Sequence, residues 1–357
     1  AGGRIVMAGP SSGRVAAALL LAVLMGPGAS LDSVAGSCAP AAYLQSGAWR
    51  ELRAAPPITA RCAPDAAAAS STRSTMAISS LKYACNDTSA RAGVPRPRFE
   101  WVPGQAGCAA RGVSGWADLF APNRTLWMVG DSMMLQTAFV LHCSMADGLT
   151  AGVDPGWHTP KWAERIRIAR RDMVHRRTPL CAGAAGRRLC YVPAGTKSGQ
   201  TVPGVLEALL ASGVMRAADL VVANSGTWQM GSRGGDAYQR RMVSDLLILM
   251  SLPDSPSRLF WRETFAQHFP TAEGVFNRGG GINPSARCTG TPRAQPSILR
   301  EVSARLSAHP HITVLPSWQI TQHLASAHRG NGDCSHYCNF AGVMQAVLDA
   351  LAWAMDG

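Results

Sequence analysis

An α/β fold, a three-layer α/β/α sandwich with about five parallel strands, is what this sequence predicts. From Thr125 onward, short apolar runs alternate with longer amphipathic stretches, the rhythm of βα units wound around a parallel sheet. Ahead of Thr125 that rhythm is missing. Residues 38–97 are rich in Ala, Ser and Pro and carry Cys38, Cys62 and Cys85 without sustained periodicity, which predicts a loop-rich, disulfide-stapled elaboration. Three segments follow: 1–30 as a signal segment, 31–98 as the cysteine-containing N-terminal segment, and 99–357 as the main domain.

The strands are expected at 125–129, 189–192, 219–223, 258–261 and 311–315, each a short apolar run. Between and after them the spacing predicts helices at 133–145, 205–214, 237–250, 297–308 and 339–355. Asp236 is expected to cap the third, since its carboxylate can accept from the free N–H groups of a first turn. Gly279 to Gly281 reads as a loop, because no phosphate-binding fingerprint surrounds it.

Composition narrows the class further. A hydrophobic content of 47%, a charged content of 16% and ten tryptophans belong to an ordered globular protein and exclude a disordered one. The 34 Lys and Arg against 22 Asp and Glu give a net charge of +12, which attracts polyanions. Charge alone does not choose among nucleic acid, anionic lipid and acidic polysaccharide. The densest basic run holds Arg165, Arg167, Arg170, Arg171, Arg176 and Arg177 without the aromatic residues on which single-strand binders stack bases. It reads as a solvated helix face or loop, and nucleic acid is not expected as a partner.

Arg4 and Arg14 precede an apolar run from Val15 to Met25 that ends in Gly26, Pro27 and Gly28, the shape of a secretory signal. The run is shorter than the ~20 residues a spanning helix needs, so membrane contact is expected only through a short signal-anchor, if the segment is not cleaved. Ten cysteines in such a chain imply disulfides formed in an oxidising lumen, the Golgi or the outside of the cell. Cys181 and Cys190, which flank a short Gly-rich turn, are the expected local pair. Cys334 and Cys338 lack zinc-site spacing, so no metal is expected. Sequons at Asn86 and Asn123 agree with a lumenal chain.

The chemistry concentrates at the ends of the strands. Gly130, Asp131 and Ser132 stand where the first apolar strand stops and a helix begins, so Ser132 is well placed to attack a carbonyl. Its own backbone N–H can help hold the resulting oxyanion. Near the C-terminus, Asp333 and His336 supply a carboxylate to orient an imidazole and an imidazole to take the serine proton. Asp172 and His175 have the same spacing but lie in the basic run, before most of the sheet has formed. Ligands in open α/β sheets bind at the carboxyl ends of strands, and Ser132, Asn224, Arg262 and the Asp333/His336 pair all follow strands there. Asn224 either donates its side-chain amide to the oxyanion or caps its own strand-to-loop turn. Gly130 and Asp131 join that oxyanion and substrate side, and Gly195 and Gly199 are both open as its second backbone donor.

Taken together, Gly130-Asp131-Ser132, the Asn224 turn and Asp333-Cys334-Ser335-His336-Tyr337-Cys338 resemble the SGNH/GDSL superfamily. More narrowly they resemble its PC-esterase branch, which includes the trichome birefringence-like polysaccharide O-acetyltransferases of plants and algae. Phe99-Glu100-Trp101-Val102-Pro103 with Cys108, and Trp261-Arg262-Glu263 with His268-Phe269 and Gly274-Val275-Phe276-Asn277, are similar to further motifs of that branch and keep their order. The resemblance covers residues 99–354. Leu135-Gln136-Thr137 and Thr227 stand where the plant enzymes carry an Arg-Asn-Gln group and, often, a His; these departures concern the acceptor rather than the triad.

The resemblance implies a serine-dependent O-acetyltransferase with no bound cofactor, working by a ping-pong route. Ser132 takes an acetyl group from a donor co-substrate, and the hydroxyl of a polysaccharide or glycan, acidic glycans included, removes it. Arg262 and His268 are expected to affect donor or acceptor binding, with an ion pair to Glu263 or a loop carboxylate as the other reading of Arg262. A carbohydrate acetylesterase would use the same three residues, and a non-catalytic polysaccharide-binding glycoprotein would need none of them.

Overall fold

The computed structural model of the chain describes residues 5–6, 38–52, 98–105, 108, 122–148, 180–184, 187–195, 200–230, 232, 234–271, 273–276, 287–289, 294–330, 332–338 and 342–356. Most of the signal segment, Asn86, Cys62, Cys85, the basic run with Asp172 and His175, Gly199, Asn277 and Gly279 to Gly281 lie outside the described residues.

The N-terminal part begins with β1 (Ile5–Val6), α1 (Pro40–Gln45), β2 (Ala48–Leu52) and β3 (Arg98–Val102), whose strands form a small antiparallel sheet in that order. The main sheet is built from β4 (Thr125–Gly130), β5 (Leu180–Ala184), β6 (Arg187–Pro193), β7 (Leu220–Ala223), β8 (Arg258–Arg262) and β9 (Ile312–Leu315). Its helices are α2 (Ser132–Gly148), α3 (Val202–Ala211), α4 (Gly235–Met250), α5 (Ser297–Ser307) and the short α6 (Ser317–Thr321). A hairpin of β10 (His328–Gly330) and β11 (Asp333–Tyr337) leads to the closing helix α7 (Val343–Asp356). Among the described residues no helix is long and apolar enough to cross a membrane.

In the main sheet the order is β5-β6-β4-β7-β8-β9, with β6, β4, β7, β8 and β9 parallel and β5 antiparallel on the edge. The chain runs from β4 to one side, then returns across β4 to reach β7 on the other. Right-handed crossovers in opposite directions put their helices on opposite faces. The side chains agree. Leu126, Met128, Val222 and Phe260 join a buried cluster with residues of α2 and α7, whereas Trp127, Val129, Val221 and Trp261 join one with α3, α4 and α5. Strands covered on both faces read as unbroken apolar runs, and every residue of β4 is buried. Burying a large apolar side chain contributes about 1.5–3 kcal/mol, so these two clusters dominate the stability.

Local signals explain where the elements depart from expectation. α3 starts at Val202 rather than at 205 because Thr201 Oγ1 accepts from Gly204 N at 3.1 Å and Pro203 suits a first turn. It stops at Ala211, ahead of Gly213 with φ 65°. Asp236 is not the cap of α4. Gly234, with φ 78°, takes that position and Asp236 falls inside the first turn. α7 begins at Val343 rather than at 339.

The cysteines bind the pieces together. Cys181 and Cys190 face each other across the β5–β6 ladder and are bonded, as their flanking of the turn predicts. Cys38 is bonded to Cys108 and Cys288 to Cys334, and no described cysteine is free, a pattern compatible with the secretory pathway or the outside of the cell. The described part of the N-terminal segment is less loop-rich than expected, since it forms α1 and β2 and joins the main core. Trp49 Nε1 donates to the Ile320 carbonyl at 2.6 Å, Trp101 Nε1 to the Tyr43 carbonyl at 2.9 Å, and Tyr43 Oη to Asp349 Oδ2 at 3.1 Å.

Asp349 provides a test of that junction. Burial raises its pKa to about 7, with the hydrogen bonds from Gln345 and Tyr43 opposing the rise. A carboxyl that stays protonated in the fold but ionises in the unfolded chain stabilises the fold at low pH and loses that contribution as pH rises. Relative to wild type, Asp349→Asn should therefore gain stability between about pH 4 and pH 7, by on the order of 4 kcal/mol, at about 1.36 kcal/mol for each pH unit by which the pKa is raised. Urea unfolding over a pH series measures the difference, and a flat difference would contradict the assignment.

Candidate active site

At the end of β4 the backbone needs a glycine. A Cβ on Gly130 would lie 2.9 Å from Met134 Cβ and 3.0 Å from the Asn224 carbonyl, both tighter than ordinary contact. The next residue starts the helix. Asp131 Oδ1 accepts from Met133 N at 2.9 Å and the Asp131 carbonyl accepts from Leu135 N at 3.1 Å, so Asp131 is the N-cap of α2 and Ser132 its first residue. At that position the Ser132 N–H has no acceptor within the helix. With the sheet numbered by order of appearance, its parallel strands run 2-1-3-4-5. Ser132 therefore stands where the winding reverses, the place where open α/β sheets form a crevice.

The other half of the site arrives on the hairpin. His336 Nδ1 lies 2.9 Å from Asp333 Oδ2 and 3.0 Å from Oδ1, so its proton is held on Nδ1 by the carboxylate. Nε2 is then an acceptor, and the Ser132 hydroxyl donates to it at 2.7 Å. Residues three apart in an ideal strand face opposite sides. Here Asp333 Oδ1 also accepts from Ser335 N at 3.3 Å and His336 N at 3.1 Å, which curls the start of β11 so that carboxylate and imidazole meet. Burial raises the Asp333 pKa, but hydrogen bonds and charge from His336, with the two backbone donors, outweigh it and hold the carboxyl at about 2. Asp333 is thus ionised wherever an imidazole can act as a base.

Three residues that the sequence reading did not single out for this site hold it together. Gln136, one turn along α2 from Ser132, donates its amide to the Tyr337 carbonyl at 2.8 Å. Gln267 donates to Ser335 Oγ at 2.8 Å and accepts from Phe276 N at 3.0 Å. His328 lies 3.1 Å through Nδ1 from the His336 carbonyl. The only available signal was the spacing of Gln136 from Ser132, which puts both on one helix face.

No protein-family model and no curated protein matches this chain. The resemblance noted above rests on the motifs themselves.

Several expected contacts with substrate are corrected by the geometry. Asn224 is buried, and its Nδ2 donates to the Arg262 carbonyl at 3.1 Å and to Thr264 Oγ1 at 3.4 Å. It ties the end of β7 to β8, which is the capping reading. Arg262 is 0% exposed, its guanidinium 4.2 Å over the Phe265 ring and its Nη1 3.2 Å from the Glu263 carbonyl. It follows Phe260 on the same face of β8 and points into the core instead of the crevice. Burial lowers its pKa to about 10, with Asp131 opposing the fall, so the carboxylate it feels is Asp131. Glu263 instead accepts from Ser303 Oγ at 2.7 Å. His268 is also buried, between His328 and the Gln322 carbonyl. Gly195 N–H donates to the Gln200 carbonyl at 2.7 Å, so it is committed to a turn. Gly130 serves close approach and Asp131 serves the cap. Asn123 is exposed with φ 65°.

Gly130→Ala should cost about 1–3 kcal/mol through the Met134 and Asn224 contacts. Denaturant unfolding checks it, and an unchanged midpoint would mean the strand end has room that these distances deny.

Proposed function

We propose that this chain is a secretory-pathway serine O-acyltransferase that moves an acetyl group through Ser132 to a glycan hydroxyl, on an SGNH/GDSL-like three-layer α/β/α scaffold. The observation that carries the reading is the Asp333–His336–Ser132 relay, with links of 2.9 and 2.7 Å. The ordered motifs of the PC-esterase branch supply the acetyl group and the glycan. The disulfides are compatible with a lumenal or extracellular workplace, and the net charge of +12 suits an acidic acceptor.

In this reading Ser132 Oγ attacks the acetyl carbonyl of the donor while His336 Nε2 takes the hydroxyl proton. Charge builds on the carbonyl oxygen, where the Ser132 N–H and the positive end of α2 can meet it. Collapse breaks the bond to the leaving group, which takes the proton from His336. A sugar hydroxyl then gives its proton to His336, attacks the acyl-serine and leaves acetylated, with Ser132 protonated again. Water in place of the sugar makes the same cycle an esterase. Asp333 keeps Nε2 free to accept and stabilises the imidazolium at both stages.

The full chain should be given 4-nitrophenyl acetate with and without a panel of neutral and acidic polysaccharides, following acetate release and glycan mass. Acetylated glycan is the expected product. Ser132→Ala and His336→Ala should each remove turnover by about 10⁴-fold or more, and Asp333→Asn by orders of magnitude. Acetate alone would make the chain an esterase, and glycan binding without turnover would favour the non-catalytic reading. A folded Ser132→Ala variant with near-normal turnover would overturn the mechanism.

A further inference from the structure

Behind the relay, two buried histidines form a line of hydrogen-bonding atoms whose protons can be counted. Gln322 O lies 2.8 Å from His268 Nε2, His268 Nδ1 lies 2.7 Å from His328 Nε2, and His328 Nδ1 lies 3.1 Å from His336 O. Both ends are carbonyl oxygens, which only accept. Each end therefore needs an N–H, and the central link needs a third. Two neutral imidazoles carry two. With both placed at the ends, two lone pairs would face each other at 2.7 Å; with one placed in the centre, a carbonyl would face a lone pair.

We propose that His268 and His328 together hold one proton more than two neutral imidazoles, and that this buried cation is a positioning unit fastening the His336 main chain opposite Ser132. The part concerning His336 rests on the function proposed above; the protonation does not. The extra proton belongs to His268. Burial above all, and then the charge of His268, holds the His328 pKa down to about 3, which leaves His328 neutral with its hydrogen on Nδ1. His268 then donates at both nitrogens, to Gln322 and to His328, and every link in the line is satisfied.

The surroundings fit a fastening role. The His268 backbone N–H donates to the Cys334 carbonyl at 3.0 Å, so His268 holds β11 by its main chain as well as through His328. Tyr337 stacks on the His328 ring with centroids 4.1 Å apart. The charged and titratable groups that act on His328 are Asp333, which favours its protonation, and His268 and His336, which disfavour it. Arg329, on the same strand as His328, is turned to Asp333 at 3.9 Å. Raising the pH until the pair gives up its proton removes the central link and loosens the carbonyl of His336.

The test is nitrogen NMR of the full chain labelled with ¹⁵N-histidine. At neutral pH His268 should show two protonated nitrogens and His328 a neutral ring protonated on Nδ1, with the shared N–H···N proton shifted downfield. His268→Asn should abolish that proton signal. In turnover of 4-nitrophenyl acetate, His328→Leu should lower kcat at least tenfold with KM within twofold. His328→Asn, whose amide can still donate to the His336 carbonyl, should recover to within about threefold of wild type. An alkaline fall in wild-type kcat should be absent in His268→Asn. Finding both rings neutral, or both doubly protonated, overturns the inference whatever the activity, as does full activity in a folded His328→Leu variant. If the wild type has no turnover, the NMR still decides the proton count, and if His328→Leu does not fold, the wild-type spectrum and His328→Asn decide it.

Discussion

A hydrogen bond of 2.7 Å joins a hydroxyl and an imidazole that lie 204 residues apart in the chain, and the carboxyl edge of the sheet is organised around keeping it. The hydroxyl end inherits its position from the core. β4 is buried on both faces, Gly130 lets it pass close to β7 and α2, and Asp131 starts the helix at the next residue. The imidazole end has no such support, because β10 and β11 form a separate two-stranded hairpin, an element that is marginal by itself. It is held instead by many small ties. The Cys288–Cys334 bond, Gln136 to the Tyr337 carbonyl, Tyr337 Oη to the Ala266 carbonyl and His268 N to the Cys334 carbonyl converge on five residues. Each hydrogen bond contributes only about 1 kcal/mol, but together they restrict the movement that would lengthen the Ser132 contact.

Electrostatics divides the edge into two. On the crevice side, Asp333 is held ionised by the groups it orients, so the relay begins from a fixed carboxylate. Beneath it, Arg262 is enclosed against Phe265, and the carboxylate that favours its charge is that of Asp131. A buried guanidinium beside the cap of α2 places positive charge close to the residue that starts the helix.

The sequence shows most where burial is two-sided. Leu126 to Val129, Leu220 to Ala223 and Leu259 to Trp261 are legible as strands because parallel sheets need unbroken apolar runs. β5, with Gly183 and two alanines, carries no such signal and is visible only through Cys181. Helix starts depart from the hydrophobic spacing where a cap decides them, as at Thr201 and Gly234. At the site, Ser132, Asp333 and His336 could be singled out because reactive side chains at strand ends are unusual, and the fold brings them together. Arg262 and His268 lie on the same edge, but sequence position does not tell whether a side chain turns to the crevice or the core. Gln267 and His328 depend on long-range contacts that leave no local pattern.

The central claim is that Ser132 carries the acyl group, and the most direct measurement is the mass of the peptide that contains it. Full-length chain should be mixed with an activated acetyl ester, quenched in acid within the first turnovers and digested. An acetyl group on the Ser132 peptide of the wild type, absent from Ser132→Ala, is the expected result. An unmodified Ser132 peptide from enzyme that is turning over, or acetylation that persists in the Ser132→Ala variant at another residue, would contradict it.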